Sequence, residues 1–471
     1  MSKEKKVSTK LIIGIIGTAI CLALLALPFE GLDQKGKLSL IIFVWAIVMW
    51  MTRAIPEYLT AIVSGALVIV VAKVDATTAL SGFSSGGWWL IVWAMVLSAV
   101  VAKTGLGWRI AYWMIAKVGN TLKKLYAANS IINIVLSFII PSGTARGALL
   151  STLADSLCDS IGYKPGEFKG DHGLMLNSMF ANTSSLVLVF TASGIPAIGM
   201  ALVKEATGST ITWLGWLGAV CVPAMIALVV TPFIVYKMNP PTDKSKEIDV
   251  SIANDKLKEM GKMSKAERNC TILVVLTILA WSTEKLHGIS SNWVPFFTIF
   301  LMFLPGLGIA KWKDVQGDVS WNSLIWLGFA MSLASSVNAT GGFQWLVDNY
   351  IVELVSGMSQ TTFLMVWCVV IIFLHPLFAG MNAMVAVLVP VSISLSQALG
   401  YNVYTIGLIT TILVTVGGNF LPFNSAPNMI FIATGRYTVG HQLKTAIVLN
   451  IMNCIVWLIA ILVWFPLIGL L

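Results

Sequence analysis

The chain reads as an all-α polytopic membrane protein, with about 11 transmembrane helices and two re-entrant helical hairpins in two inverted repeats. Three observations lead there: a composition too apolar for water, bilayer-length apolar runs from end to end, and landmarks that recur at a nearly constant offset. Of the 471 residues, 57% are apolar and 11% charged, against about 25% charged in a soluble domain. This excludes a soluble enzyme, a nucleic-acid binder and a disordered chain. The net charge of +9 does not signal nucleic acid, because the basic residues stand in short clusters between apolar runs and so mark the sides of a membrane.

A span needs roughly 20 apolar residues. Candidate spans lie at about 11–30, 38–52, 57–74, 87–103, 173–203, 211–236, 270–286, 293–310, 321–338, 403–434 and 442–470. Two further segments, 125–161 and 363–400, are interrupted at their centres by Pro141-Ser142-Gly143-Thr144 and Gly380-Met381-Asn382-Ala383. That pattern predicts re-entrant hairpins, since bare backbone at membrane depth is tolerated only where protein or a water-filled cavity covers it. The basic start, Met1-Ser2-Lys3-Glu4-Lys5-Lys6, sets the N-terminus in the cytoplasm. Alternating spans then place 24 of the 30 Lys and Arg inside and 5 outside, leaving Arg146 in the first hairpin and the C-terminus outside. The first apolar run is too long for a removable signal peptide and lacks its small-residue cleavage site.

The segment 237–268, with eight basic and six acidic residues, reads as a cytoplasmic linker between halves. The organisation is then a tail and first span at 1–37, a first repeat at 38–236, the linker, and a second repeat at 269–471. Within the first repeat, spans at 38–124 precede a hairpin and broken helix at 125–203 and a span at 211–236. In the second, spans at 269–346 precede a hairpin and broken helix at 363–434 and the last span at 442–470.

The repeat rests on three landmarks. Trp93-Ala94-Met95-Val96-Leu97 precedes Thr104-Gly105, and Phe329-Ala330-Met331-Ser332-Leu333 precedes Thr340-Gly341, at an offset of 236. The hairpin tips follow at an offset near 239, and Asn182 matches Asn419 at 237. Five spans per half invert the second half relative to the first, so the first hairpin enters from the cytoplasm and the second from outside. Inverted repeats place a substrate at the midplane, where broken helices meet.

Four breaks should therefore converge: the two tips, Asn182-Thr183-Ser184-Ser185, and the run from Gly417 to Asn428. Glycine and proline free backbone groups there, and helix N-termini attract anions. The candidate substrate-binding residues are Ser142, Gly143, Thr144, Arg146, Asn182, Thr183, Ser184, Asn382, Ala383, Asn419, Pro422 and Ser425. Hydroxyls, amides and free N–H groups suit a small carboxylate or another oxyanion; small residues in membrane helices also serve close packing. Arg146 has two readings: an intramembrane cation that balances an anionic substrate, or a side chain that snorkels or pairs with Asp155 or Asp159. His375 is expected at the outer boundary, as a packing group, a substrate contact or a proton carrier. Six scattered cysteines without C-x-x-C, and four dispersed histidines without H-E-x-x-H, indicate no catalytic or metal site. A channel's continuous polar stripe and a membrane hydrolase's constellation are both missing from the spans.

At these residues the sequence resembles the divalent anion:sodium symporter family over about 38–471. The resemblance is carried by the Thr-Gly span ends (Thr104-Gly105-Leu106, Thr340-Gly341-Gly342), the Ile55-Pro56 turn, the hairpin tips, and Leu421-Pro422-Phe423-Asn424-Ser425-Ala426-Pro427-Asn428. That last run is similar to the family's L-P-x-A-T-P-P-N signature. The resemblance implies an elevator-type homodimer in which a transport domain, made of the hairpins and broken helices, moves against a scaffold of the other spans. It implies di- and tricarboxylate substrates, or sulfate, held at the tips, with sodium beside each tip in the symporters. The tips depart from the family's Ser-Asn-Thr: Ser142-Gly143-Thr144 lacks the amide, and Met381-Asn382-Ala383 lacks both hydroxyls. Thr144-Ala145-Arg146 resembles the exchanger branch. The expectation is sodium-independent exchange of C4 and C5 dicarboxylates (succinate, malate, fumarate, 2-oxoglutarate) in the cell membrane, without a cofactor. The alternative is a sodium-coupled di/tricarboxylate symporter.

Overall fold

A computed structural model describes residues 9–118, 121–242, 251–378 and 380–471. The basic cluster through Lys6 and the linker's middle, 243–250, lie outside the described residues. Helices of eight or more residues are numbered in chain order. The first half holds α1 (Thr9–Leu24), α2 (Gln34–Thr52), α3 (Glu57–Val70), α4 (Gly86–Thr104), α5 (Leu106–Val118), α6 (Leu122–Ile139), α7 (Gly143–Ser160), α8 (Asp171–Ser184), α9 (Gly194–Thr207) and α10 (Trp213–Met238). The linker carries α11 (Ser251–Met260). Then come α12 (Lys265–Ser282), α13 (Val294–Met302), α14 (Trp321–Ala339), α15 (Gly342–Tyr350), α16 (Gln360–Leu374), α17 (Met381–Leu399), α18 (Val403–Val416), α19 (Ala426–Ala433) and α20 (Val439–Ile459). No strand occurs among the described residues.

These helices form because nothing in them competes with the helix and their apolar faces have two solvents to choose from. Exposed apolar side chains recur at helical spacing, as at Ile272, Val275, Leu276 and Leu279 on α12 and Val222, Met225, Ile226, Val229 and Phe233 on α10. Water would penalise such stripes, which exceed the scattered apolar exposure of soluble proteins; lipid does not. Turn chemistry ends the elements. Gly105 closes α4 in the left-handed region at φ 79, and Gly341 takes the same conformation at φ 73 just past α14, so both Thr-Gly landmarks are helix stops.

Seven helical segments among the described residues are long and apolar enough to cross a membrane, or eight if the bent pair α14–α15 is one span. The expected spans at 173–203 and 403–434 are each two shorter helices, α8 with α9 and α18 with α19, because loops of several residues interrupt them. The expected span at 293–310 is helical only as α13, which Phe303 ends ahead of Pro305 and Gly306. The last span continues beyond α20 through a π-helical stretch, Ala460–Trp464. The hairpin arms α6, α16 and α17 are themselves near span length.

Packing sorts the helices around the breaks. α14 lies against α2 and α3, while α8 is clasped by α6, α7, α10 and α19, and α18 by α9, α16 and α17.

Candidate functional site

All four breaks open on one cavity of about 370 Å³. At the first tip α6 stops because Pro141 follows Ile140: proline lacks an N–H and drives its predecessor into extended backbone, and Ile140 takes φ −112, ψ 98. Ser142 then caps α7, its Oγ accepting from the Ala145 N–H at 3.3 Å. Gly143 packs closely on the broken helix: a methyl there would stand 2.3 Å from Leu186 Cδ2, and that side chain would have to move. At the second tip α16 gives way to a 3₁₀ turn over His375–Leu377, and α17 starts at Met381. The broken helices resume at Gly194 and Ala426.

A break creates one helix C-terminus and one N-terminus, and the fold treats the two differently. Four N-termini, of α7, α9, α17 and α19, reach the cavity wall through Pro141–Thr144, Ser193–Ile195, Gly380–Ala383 and Ser425–Pro427. Each helix start carries unsatisfied N–H groups and about half a positive charge, so these stretches of the wall are electropositive through backbone alone.

Carbonyls left open at the breaks are met from behind the wall by two buried side chains, Arg146 and His375. Arg146, fully buried, donates from Nη1 to Ile140 O at 2.7 Å and Ala192 O at 2.9 Å. Its Nη2 donates to Ser185 Oγ at 3.3 Å. His375, also buried, sets Nδ1 at 2.9 Å from Ile371 O and Nε2 at 2.9 Å from Val414 O. A neutral imidazole can donate to only one of these carbonyls, whereas the imidazolium serves both. Gly417 makes room, since a methyl on it would stand 2.5 Å from His375 Nδ1.

Amides lash the breaks together. Asn182 Nδ2 donates to Gly143 O at 3.1 Å, and Thr183 Oγ1 donates to Asn428 Oδ1 at 3.0 Å. Asn424 Nδ2 donates to His375 O at 2.7 Å and Phe378 O at 2.8 Å, while its Oδ1 accepts from the Leu421 N–H at 2.8 Å. Asn419 Oδ1 accepts from Asn450 Nδ2 at 2.5 Å. Buried backbone polar groups must find partners, and these amides supply them.

Of the residues read from sequence, Ser142, Gly143, Thr144, Asn382, Ala383 and Ser425 line the cavity. Arg146, Asn182, Thr183, Ser184, Asn419 and Pro422 are not on its wall; Arg146, Asn182, Thr183 and Asn419 bond instead to other groups of the protein. Asp155 and Asp159 are held not by Arg146 but by Arg436, whose Nε and Nη2 bind their carboxylates. His375 is buried between α16 and α18. Sequence reasoning missed Trp50, Arg53, Glu57, Thr191, Ser193, Asn322, Ser323 and Trp326 on the cavity wall. The hydroxyl-rich stretch before Gly194 was the one available signal. Among the described residues no group of three or more His, Cys, Asp or Glu is placed to hold a metal ion.

Paired breaks that open helix N-termini on a central cavity define a multi-pass membrane transport protein. The model of the sodium:sulfate symporter transmembrane region matches residues 7–471, and the chain belongs to that family, the divalent anion:sodium symporters read from its motifs. It is 27% identical to a putative malate transporter, YflS, of Bacillus subtilis, over 99% of this chain and 98% of that one. It is 27% identical to the chloroplastic dicarboxylate transporter 1 of Arabidopsis thaliana over 98% of this chain and 83% of that one. It is 29% identical to the inner membrane protein YbhI of Escherichia coli over 90% of this chain and 91% of that one. The solved structure of the Alcanivorax borkumensis YdaH transporter shares the fold at a TM-score of 0.60 and 13% identity, covering 91% of this chain and 98% of that one.

Proposed function

We propose that the chain is a sodium-independent exchanger of C4 and C5 dicarboxylates such as succinate, malate, fumarate and 2-oxoglutarate. The observation that carries this reading is the convergence of four helix N-termini on one cavity, braced by Arg146 and His375 inside the protein. A dicarboxylate lies with its oxygens at the starts of α7 and α17, where Ser142, Thr144 and Asn382 add donors, and its far end toward Ser193 and Ser425. Relatives named for malate and dicarboxylate transport support the substrate class.

Exchange follows from charge. A bare dianion at membrane depth faces a desolvation cost of many kcal/mol. The helix starts and Arg146 offset it, with no ion taken from solution. The same positive site without its anion is costly to carry past apolar helices, so each direction of transport needs a bound substrate. In this proposal the hairpins and the broken helices α8–α9 and α18–α19 move as the transport domain against a scaffold that includes α2, α3 and α14, in a homodimer. On the orientation given by the basic residues, the mouth beside the α2–α3 loop faces the cytoplasm.

The alternative is sodium symport, favoured by the description of the family model. Counterflow separates the two. Purified protein in liposomes loaded with succinate or 2-oxoglutarate takes up labelled succinate in sodium-free medium, and empty liposomes take up none. Uptake into empty liposomes driven by a sodium gradient would establish the symporter instead.

A further inference from the structure

The cavity wall contains two charged side chains among the described residues, Arg53 and Glu57. Both also line a wider adjoining space with Ile55, Pro56, Ala426 and Met429, so they stand where the cavity opens out. Arg53 ends α2 in a left-handed conformation, φ 51, ψ 37, with its N–H on Met49 O. That conformation disfavours a residue with a Cβ and ordinarily selects glycine or asparagine. The backbone alone therefore does not explain an arginine, and its side chain brings what glycine lacks, a permanent charge at the mouth. Glu57 opens α3, where a helix start favours an acid. Arg53 Nε lies 3.2 Å from Glu57 Oε1, and the two side chains are 37% and 45% exposed.

A hydrated, half-exposed ion pair is held weakly. A guanidinium pairs with any carboxylate, so an incoming carboxylate can take the place of Glu57 on Arg53 with a charge-assisted bond of the same kind. Arg146 cannot do this, because it is buried behind the first tip and engaged with Ile140, Ala192 and Ser185.

Resting on the dicarboxylate reading, we propose that Arg53 is a specificity-determining residue at the cavity mouth: it captures one carboxylate of the substrate, and Glu57 is the tethered carboxylate that the substrate must displace. The pair thereby favours dicarboxylates, which can engage Arg53 and the helix starts together, over monocarboxylates.

The test is succinate homoexchange in liposomes, with KM and maximal rate measured separately and each variant checked for monodispersity and melting temperature. Arg53→Gln and Arg53→Gly are expected to raise KM about tenfold, the loss of one charge-assisted bond, with the maximal rate nearly kept. Arg53→Gly leaves the backbone relaxed, so an effect there is one of charge. Arg53→Lys restores most of the affinity. Glu57→Gln lowers KM two- to threefold, and the double variant Arg53→Gln/Glu57→Gln matches Arg53→Gln alone. A wild-type KM for Arg53→Gly, or a rise in KM for Glu57→Gln equal to that for Arg53→Gln, would overturn the proposal and leave the pair as a structural tie. Wild-type protein that exchanges no dicarboxylate would instead overturn the functional reading beneath it.

Discussion

The two halves of the molecule meet the same demand with different chemistry. In each, a hairpin tip faces a broken helix, and the break leaves carbonyls that need a donor. The first half answers with Arg146, permanently charged and forked, which reaches Ile140, Ala192 and Ser185 at once. The second half answers with His375, whose two nitrogens face Ile371 and Val414 and whose charge depends on a proton. The contrast is between a first break tied by three donations from one guanidinium and a second tied through an imidazole and the Asn424 amide. Both side chains sit behind the wall and bond to carbonyls of the breaks from within the protein, which leaves the N-termini for the ligand.

Removing Arg146 should break the comparison most severely. Arg146→Met strips donors from three acceptors and leaves them buried. Each bond from a charged donor is worth about 1.5–3 kcal/mol, so succinate exchange in liposomes should fall at least a hundredfold, with a clear drop in melting temperature. Arg146→Lys keeps the charge without the fork and should recover only part of the rate. Near-normal exchange by Arg146→Met would remove the arginine from the account.

The histidine should matter less. His375→Gln replaces the ring that spans Ile371 and Val414 with a single amide, and about a tenfold fall in exchange rate is expected. Gly417→Ala tests the same position from the other side, because its methyl would press on the imidazole. A several-fold loss should follow, and combining it with His375→Gln should add little. Strict additivity of the two would show that Gly417 acts elsewhere.

The smallest effects are in the amide lashings, and they sharpen the contrast by stability. Asn424 makes three bonds to the second break, whereas Asn182 donates to one carbonyl of the first tip. Asn424→Ala should therefore lower the melting temperature of the purified protein more than Asn182→Ala does. The reverse order would mean that the first tip depends on its amide rather than on Arg146.

Most of the fold was legible because its signals are local. Apolar length announces a membrane helix, Pro141 announces a helix end, and Thr-Gly announces a helix stop. The site was legible by region but not by face. Asn182, Thr183 and Asn419 look like ligands, since an amide or hydroxyl in a membrane segment needs a partner; their partners in the fold are Gly143, Asn428 and, on α20, Asn450. The cavity takes the N-terminal side of each break instead, including Ser193 and Ser425. Sequence spacing does not state which side of a break turns toward its counterpart, because that depends on contacts between distant segments, such as Thr183 and Asn428, 245 residues apart. Arg53 was hidden for another reason: as one of many basic residues beside a span, it reads as an orientation marker, and only folding brings it to the cavity mouth.

The central claim is that the positive charge balancing a dicarboxylate is built into the chain. Succinate binding to the purified protein, measured by calorimetry in sodium chloride and again in choline chloride at the same ionic strength, tests it directly. The account predicts the same Kd in both media; a tenfold or greater tightening in sodium would contradict it.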